Sequence, residues 1–257
     1  MVHTVDLPRV RRLEAVGFRS WPAASTRFDG TWAIRLTAGH PAKRLNSVNP
    51  LDPADHSNLD SRIQRAQQIF QDFGRPLIFR QSPLAPPELE NILDARGWRR
   101  FDESKVMTKN IQPQTEQCSS YSGVTTDIGH WIDQSIAMQS FDTLSKPGIF
   151  ELISRISGQV ALFLLEDDDQ NPIAAAIAVR FDDQVGVFEV ITHPERRQRG
   201  FARSIIENAT LWAMEKQARR IWLQVTVENK PANKLYETLG FKEAYRYSYR
   251  QAPGTPS

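Results

Sequence analysis

Apolar positions recur at helical spacing from Ser61 to Phe73, where Ile63, Ala66, Ile69, Phe70 and Phe73 line up on one face. Gly74 ends that pattern, and the apolar run Leu77 to Phe79 predicts a short strand. Pro86-Pro87 then opens a helix through Leu89, Ile92 and Leu93, which Gly97 closes. Upstream the signals are weaker. Leu13, Val16 and Gly17 suggest a helix within residues 1–20, and Thr31 to Leu36 and Arg44 to Val48 read as strands bounded by Gly, Pro or Asn. Residues 111–123 are polar and rich in turn formers, which marks a boundary between two halves.

The second half has sharper periodicity. A helix carries Ile128, Trp131, Ile132, Ile136 and Met138, and a second is expected from Pro147 to Ile156. Three strands follow: Val160 to Leu165, Pro172 to Phe181 and Val185 to Thr192. The alanine and isoleucine run of the middle one predicts burial on both faces. A long helix begins near Gly200, with Ala202, Ile205, Ile206, Ala209, Trp212 and Ala213 as its apolar stripe. Ile221 to Val227 is a strand, Pro231 opens a helix that Gly240 stops, and Phe241 to Tyr249 is a final aromatic strand. The order α-α-β-β-β-α-β-α-β predicts an α+β (mixed α/β) fold with a central mixed sheet flanked by helices.

Composition changes this picture little. The 257 residues suit one large or two ordinary domains, and 40% hydrophobic with 24% charged residues is ordinary for a globular chain. Net charge is only +2, so no global field points to nucleic acid or a membrane surface. A single cysteine, Cys118, excludes an internal disulfide and a cysteine-based zinc site, and the five histidines show no metal-ligand spacing. No metal is expected. Residues near Met1 do not read as a signal peptide, and no apolar run approaches the ~20 residues that span a bilayer. The expectation is a soluble, cytoplasmic protein.

Charge matters locally. Arg196, Arg197, Arg199 and Arg203 crowd a turn between a strand and a helix, with Gly200 at the helix start. A helix N-terminus presents unpaired N–H groups and a partial positive charge, so four cations there oppose the dipole. A bound polyanion such as a pyrophosphate resolves the conflict, and glycine lets backbone approach it closely. On its own, a solvated basic turn explains the cluster as well. A second constellation downstream tips the balance: Asn229-x-x-Ala232-x-x-Leu235-Tyr236-x-x-Leu239-Gly240-Phe241. Ala232, Leu235 and Leu239 form a packing stripe, while Tyr236 lies at its flank, where the hydroxyl could face a cleft.

The two motifs in this order, with Val-Ile-Thr-His-Pro-Glu leading in, resemble the GNAT superfamily of acyl-CoA N-acyltransferases over residues from about 120 to 250. The resemblance implies acetyl-CoA as co-substrate. It gives the loop Arg197, Gln198, Arg199, Gly200, Phe201, Ala202, with Arg203, the CoA pyrophosphate. Backbone groups of Val190, Ile191 and Thr192 would pair with the pantetheine arm and polarise the thioester carbonyl. Asn229 would bind the cofactor arm or brace the next helix, and Tyr236 would protonate the departing thiolate. Glu189 is the nearest carboxylate for a general base, provided it lies on the open side or a bulge re-aims it. His193 and a relayed water compete with it. The implied reaction is direct attack by a primary amine of a small molecule or peptide, without a covalent enzyme intermediate; Cys118 has no role in it. A GNAT fold that senses acyl-CoA without turnover is the alternative.

The first half echoes the second. Residues 76–98 match 220–241 as strand, Pro-led helix and Gly-aromatic stop, with Leu93 opposite Tyr236, but no Arg-x-x-Gly-x-Ala segment precedes them. Two tandem GNAT-like domains are therefore expected, residues 1–115 degenerate and 120–252 bearing the single site. Trp32 to Leu36 and Arg44 to Pro50 could wall an acceptor cleft between them, although scaffold strands would read alike. Acceptor identity and oligomeric state have no signature.

Overall fold

The computed structural model describes residues 5–113, 121–139 and 146–254; Cys118 lies outside them. Helix α1 (Leu7–Ser20) is capped by Asp6, whose side chain accepts from the Arg9 amide at 3.0 Å. Then come β1 (Ser25–Asp29), β2 (Trp32–Leu36), β3 (Ser47–Pro50), α2 (Leu59–Asp72), β4 (Ile78–Gln81), α3 (Pro87–Ala95) and β5 (Arg99–Asn110). The second half comprises β6 (Val124–Thr125), α4 (Ile128–Gln139), α5 (Lys146–Ser154), β7 (Gln159–Glu166), β8 (Pro172–Phe181), β9 (Gln184–Thr192), α6 (Phe201–Glu215), β10 (Arg220–Thr226), α7 (Lys230–Thr238) and β11 (Lys242–Gln251).

The strand expectations missed three elements, β1, β5 and the two-residue β6. The second matters most, because a single eleven-stranded mixed sheet runs β1-β2-β3-β4-β11-β5-β10-β9-β8-β7-β6. The last strand of each half is inserted beside the other's penultimate strand: β11 pairs with β4, and β5 with β10, while β5 and β11 pair with each other. Only β3–β4 and β9–β10 are parallel. As predicted, β8 is buried on both faces. Ala175, Ile177 and Val179 join one core with α1 and α4, and Ala174, Ala176 and Ala178 join the other with α6. A third core packs α2 and α3 on β2 and β4. No helix among the described residues is long and apolar enough to cross a membrane.

The halves repeat each other at their helix ends. Both α2 and α6 start from a left-handed residue, Asn58 (φ 54°) and Gly200 (φ 87°). Helices α3 and α7 end in the same six-residue motif, Trp98 N–H to Leu93 C=O at 2.9 Å and Phe241 N–H to Tyr236 C=O at 3.0 Å. Leu93 and Tyr236 thus occupy corresponding positions. Where the halves meet, backbone touches backbone: a Cβ on Gly148 of α5 would collide with the carbonyl oxygen of Gly39.

Candidate active site

Strands β9 and β10 pair in parallel from Gln184↔Arg220 to Val187↔Leu223 and then part. Beyond that point one edge of β9 has no strand beside it among the described residues, while its other edge continues on β8 through Ala175↔Ile191 and Ala174↔Thr192. Those peptide groups of the Val190 to Thr192 stretch that point to the open edge can pair with an extended amide-bearing ligand. Val190, Ile191 and Thr192 line a cavity of about 890 Å³, together with Arg197, Gln198, Gly200, Phe201, Ala202, Arg203, Asn229 and Tyr236.

The loop that closes this cavity has its helix-starting geometry from two left-handed residues, Gln198 (φ 61°) and Gly200. A Cβ on Gly200 would meet no atom within 4 Å. Neighbouring chain therefore does not require the glycine; its left-handed backbone and open approach to the amides of α6 do. The four arginines divide their work. Arg196 pairs with Asp167 at 3.0 Å, and Arg203 donates to the Thr238 hydroxyl at 2.9 Å. Arg197 faces the cavity and has no ion-pair partner among the described residues. Neither Arg196 nor Arg199 is on the cavity wall, so only Arg197 and Arg203 of the four reach it. A polyanion with an extended amide-bearing arm fits this combination of strand edge, helix terminus and uncompensated guanidinium.

Asn229 caps α7, its Oδ1 accepting from the Ala232 amide at 3.1 Å, and also reaches the cavity wall. Tyr236 sits on the same wall, largely buried, its ring tilted at 58° to that of Phe241 with centroids 6.0 Å apart. Burial pushes its hydroxyl up to about 12, so the phenol holds its proton throughout the neutral range.

Glu189 is not in this cavity. A β-bulge between Ala175↔Ile191 and Ile177↔Phe188 places two residues of β9 opposite one of β8, and Glu189 takes up the distortion at φ 48°. The bulge turns its carboxylate into a neighbouring cavity of about 590 Å³. There it pairs with Arg44 from the first half, whose guanidinium also lies 4.5 Å over the Trp21 ring. The two cavities share Gln139 at the end of α4. His193 caps the turn at Pro194, its Nδ1 accepting from the Glu195 amide at 3.3 Å, and lines neither cavity.

Of the first-half segments expected at the cleft, Arg44 is there, but Trp32 to Leu36 is not. That segment is a fully buried strand in the third core. The reason is its position: β2 lies near the far end of the sheet, away from β9. The sequence reading had not included Trp21, His40, Lys43, Gln139, Tyr247 or Tyr249, all on the smaller cavity's wall. For Tyr247 and Tyr249 the aromatic alternation of β11 was a usable signal. The His40 loop had none, because its role depends on contact between the halves. Burial lowers the His40 imidazole below its usual value, against the pull of Glu189. Among the described residues no cluster of His, Cys, Asp or Glu could hold a metal ion.

Comparison with known proteins agrees with this geometry. Residues 8–250 match the family described as "Probable histone acetyltransferase Rv0428c C-terminal". The Bacillus subtilis protein named "Uncharacterized N-acetyltransferase YobR" is 28% identical over 246 residues, 94% of this chain and 98% of its own length. A GCN5-related N-acetyltransferase from Kribbella flavida superposes with a TM-score of 0.65 at 18% identity, covering 98% of this chain and 97% of its own. A tandem GNAT protein from the clavulanic acid biosynthesis pathway shares the fold with a TM-score of 0.61 at 15% identity, over 100% of this chain and 90% of its own. The splayed strands, the glycine-bounded helix terminus and a family match across nearly the whole chain lead to one conclusion: this chain belongs to the Rv0428c C-terminal acetyltransferase family and is a GNAT-type N-acetyltransferase.

Proposed function

We propose that the chain transfers an acetyl group from acetyl-CoA to a primary amine by direct attack, using one site in the second of two related halves, residues 1–115 and 120–252. The observation that carries this reading is the junction of two cavities at Gln139, one with anion-binding amides and Tyr236, the other with the Glu189 carboxylate. The α6 amides from the Gly200 turn and the Arg197 guanidinium would hold the pyrophosphate, and the free edge of β9 at Val190 to Thr192 the pantetheine. The amine nitrogen attacks the thioester carbonyl carbon, the C–S bond breaks, and the nitrogen gives up a proton to Glu189. Tyr236 delivers a proton to the departing sulfur. A phenol at about 12 is a weaker acid than a free thiol, but the same burial raises a thiolate's proton affinity and narrows the gap.

The pairing of Glu189 with Arg44 favours a second reading, an acyl-CoA sensor, because an engaged carboxylate is a poorer base. Thiol release from acetyl-CoA in the presence of polyamines, amino acids, aminoglycosides and peptides separates the two. Amine-dependent release supports the transferase; tight CoA binding with no release from any acceptor supports the sensor.

A further inference from the structure

The smaller cavity shows which amines it suits. Its wall is built by both halves: Trp21, His40, Lys43, Arg44 and Asp102 from the first, and Trp131, Glu189 and the β11 tyrosines among those from the second. Each charge on that wall has a partner already. Glu189 is paired with Arg44, and Asp102 with Lys43. Three of the wall's four aromatic rings already have a cation over them. Arg44 lies over Trp21 at 4.5 Å, Arg80 over Tyr247 at 3.7 Å, and Lys43 stands 5.8 Å from the Tyr249 centroid. The His40 Nδ1 accepts from the Ala42 amide at 3.2 Å, so the proton of the neutral ring is on Nε2, a donor rather than an acceptor. A second ammonium on the acceptor would find two resident cations, no unpaired carboxylate and, among the described aromatic rings of the wall, only Trp131 without a cation over it; the indole N–H of that residue already donates to the Phe163 carbonyl at 2.9 Å. An apolar or aromatic body would find Trp21, Trp131, Ile149, Tyr247 and Tyr249.

We infer that this cavity is the acceptor subsite and that it selects amines whose only cation is the reacting nitrogen and whose body is aromatic or apolar. The inference rests on the transferase reading for the identity of the neighbouring donor cavity. It opposes an acceptor in which the reacting amine is one of several cations, such as a polyamine or a lysine within a basic protein tail. About 590 Å³ accommodates a bicyclic arylalkylamine.

The test measures kcat/KM by thiol release with acetyl-CoA and four acceptors: phenethylamine, tryptamine, spermidine and a polybasic lysine peptide. At least one aryl monoamine should exceed spermidine and the peptide tenfold or more; equal or better use of either polycation overturns the inference. Lys43→Glu sharpens it. That variant removes a half-exposed cation and adds a carboxylate beside Asp102, so the spermidine-to-monoamine ratio should rise at least tenfold with KM for acetyl-CoA unchanged. An unchanged ratio overturns the subsite assignment. Calorimetric binding of the same amines to the CoA-saturated protein gives a readout independent of turnover. Monoamine preference there supports the inference even if no thiol is released, whereas failure to bind acetyl-CoA defeats only the donor reading. Binding of none of the amines, or preference for spermidine, defeats the subsite.

Discussion

Two helices in this chain begin the same way and meet opposite chemistry. Helix α2 follows the left-handed Asn58, and α6 follows the left-handed Gly200. Each comes after one strand of a parallel pair that parts early, β3–β4 in the first half and β9–β10 in the second. The turn before α6 carries Arg196, Arg197 and Arg199, whereas the turn before α2 carries Asp52 and Asp55. Asp55 turns inward to Arg62 of α2 at 2.8 Å and accepts from the Thr31 amide and hydroxyl. One turn keeps its cation and amides open to a ligand. The other carries carboxylates in place of the arginines, and its Asp55 is tied up by Arg62 and Thr31. Backbone form alone therefore does not make a phosphate site; the charge left uncompensated at the helix terminus does.

Making the basic turn resemble the acidic one should have the largest effect. Gly200→Asp puts a carboxylate and a Cβ where φ is 87°; with no chain atom within 4 Å to clash, the cost is backbone strain confined to this turn, and acetyl-CoA affinity should fall at least a hundredfold in calorimetry while the fold survives. Retained affinity would remove the pyrophosphate role from this turn. Next, Tyr236→Phe deletes the hydroxyl for which the corresponding Leu93 has no equivalent. Turnover should fall on the order of 10²-fold, the low end for a lost general acid, with affinity for acetyl-CoA held within threefold. Unchanged turnover would assign Tyr236 to packing against Phe241. Glu189→Gln should lower turnover by a similar factor of about 10², and a preserved rate would return the proton to a relayed water.

The smallest effect tests the acidic turn. Hydrogen bonds from Arg62, helped by Thr31, hold the Asp55 carboxyl down at about 2. A depressed folded value stabilises the protein above the unfolded carboxylate value of about 3.9 and loses that contribution as pH falls towards the folded one. Asp55→Asn should therefore lower stability by about 1.5–3 kcal/mol at pH 7, the range for a hydrogen bond to a charged group. The difference from the natural chain should shrink between about pH 4 and pH 2 in thermal melts. KM for acetyl-CoA should not move; a change there would mean that the α2 turn takes part in cofactor binding.

The second half was legible because its signals are local. The β8 run of alanines and isoleucines, the stripe of α6 and the Pro231–Gly240 punctuation each describe an element without reference to the rest of the chain. Strand β5 has no such signal. Arg99–Asn110 is mostly charged and polar, with Val106 and Met107 as its buried apolar residues, yet it lies mid-sheet because two distant strands, β10 and β11, enclose it. The bulge at Glu189 was equally hidden, since Val187 to Thr192 is a mostly apolar run with no glycine or proline to mark a break, and only its register on β8 reveals the extra residue. The larger cavity is lined from one half, so much of its wall falls within the two motifs visible in the sequence. The neighbouring cavity could not be read in this way, because His40 and Arg44 reach it only through packing between halves, where Gly39 and Gly148 bring the backbones into contact.

The central claim, one donor site at α6 and none at α2, is tested most directly by the stoichiometry of acetyl-CoA binding to the full chain in isothermal titration calorimetry. Binding of one molecule per chain, abolished by Gly200→Asp and unaffected by Asp55→Asn, is the predicted result. Two molecules per chain, or one that survives Gly200→Asp, would contradict it.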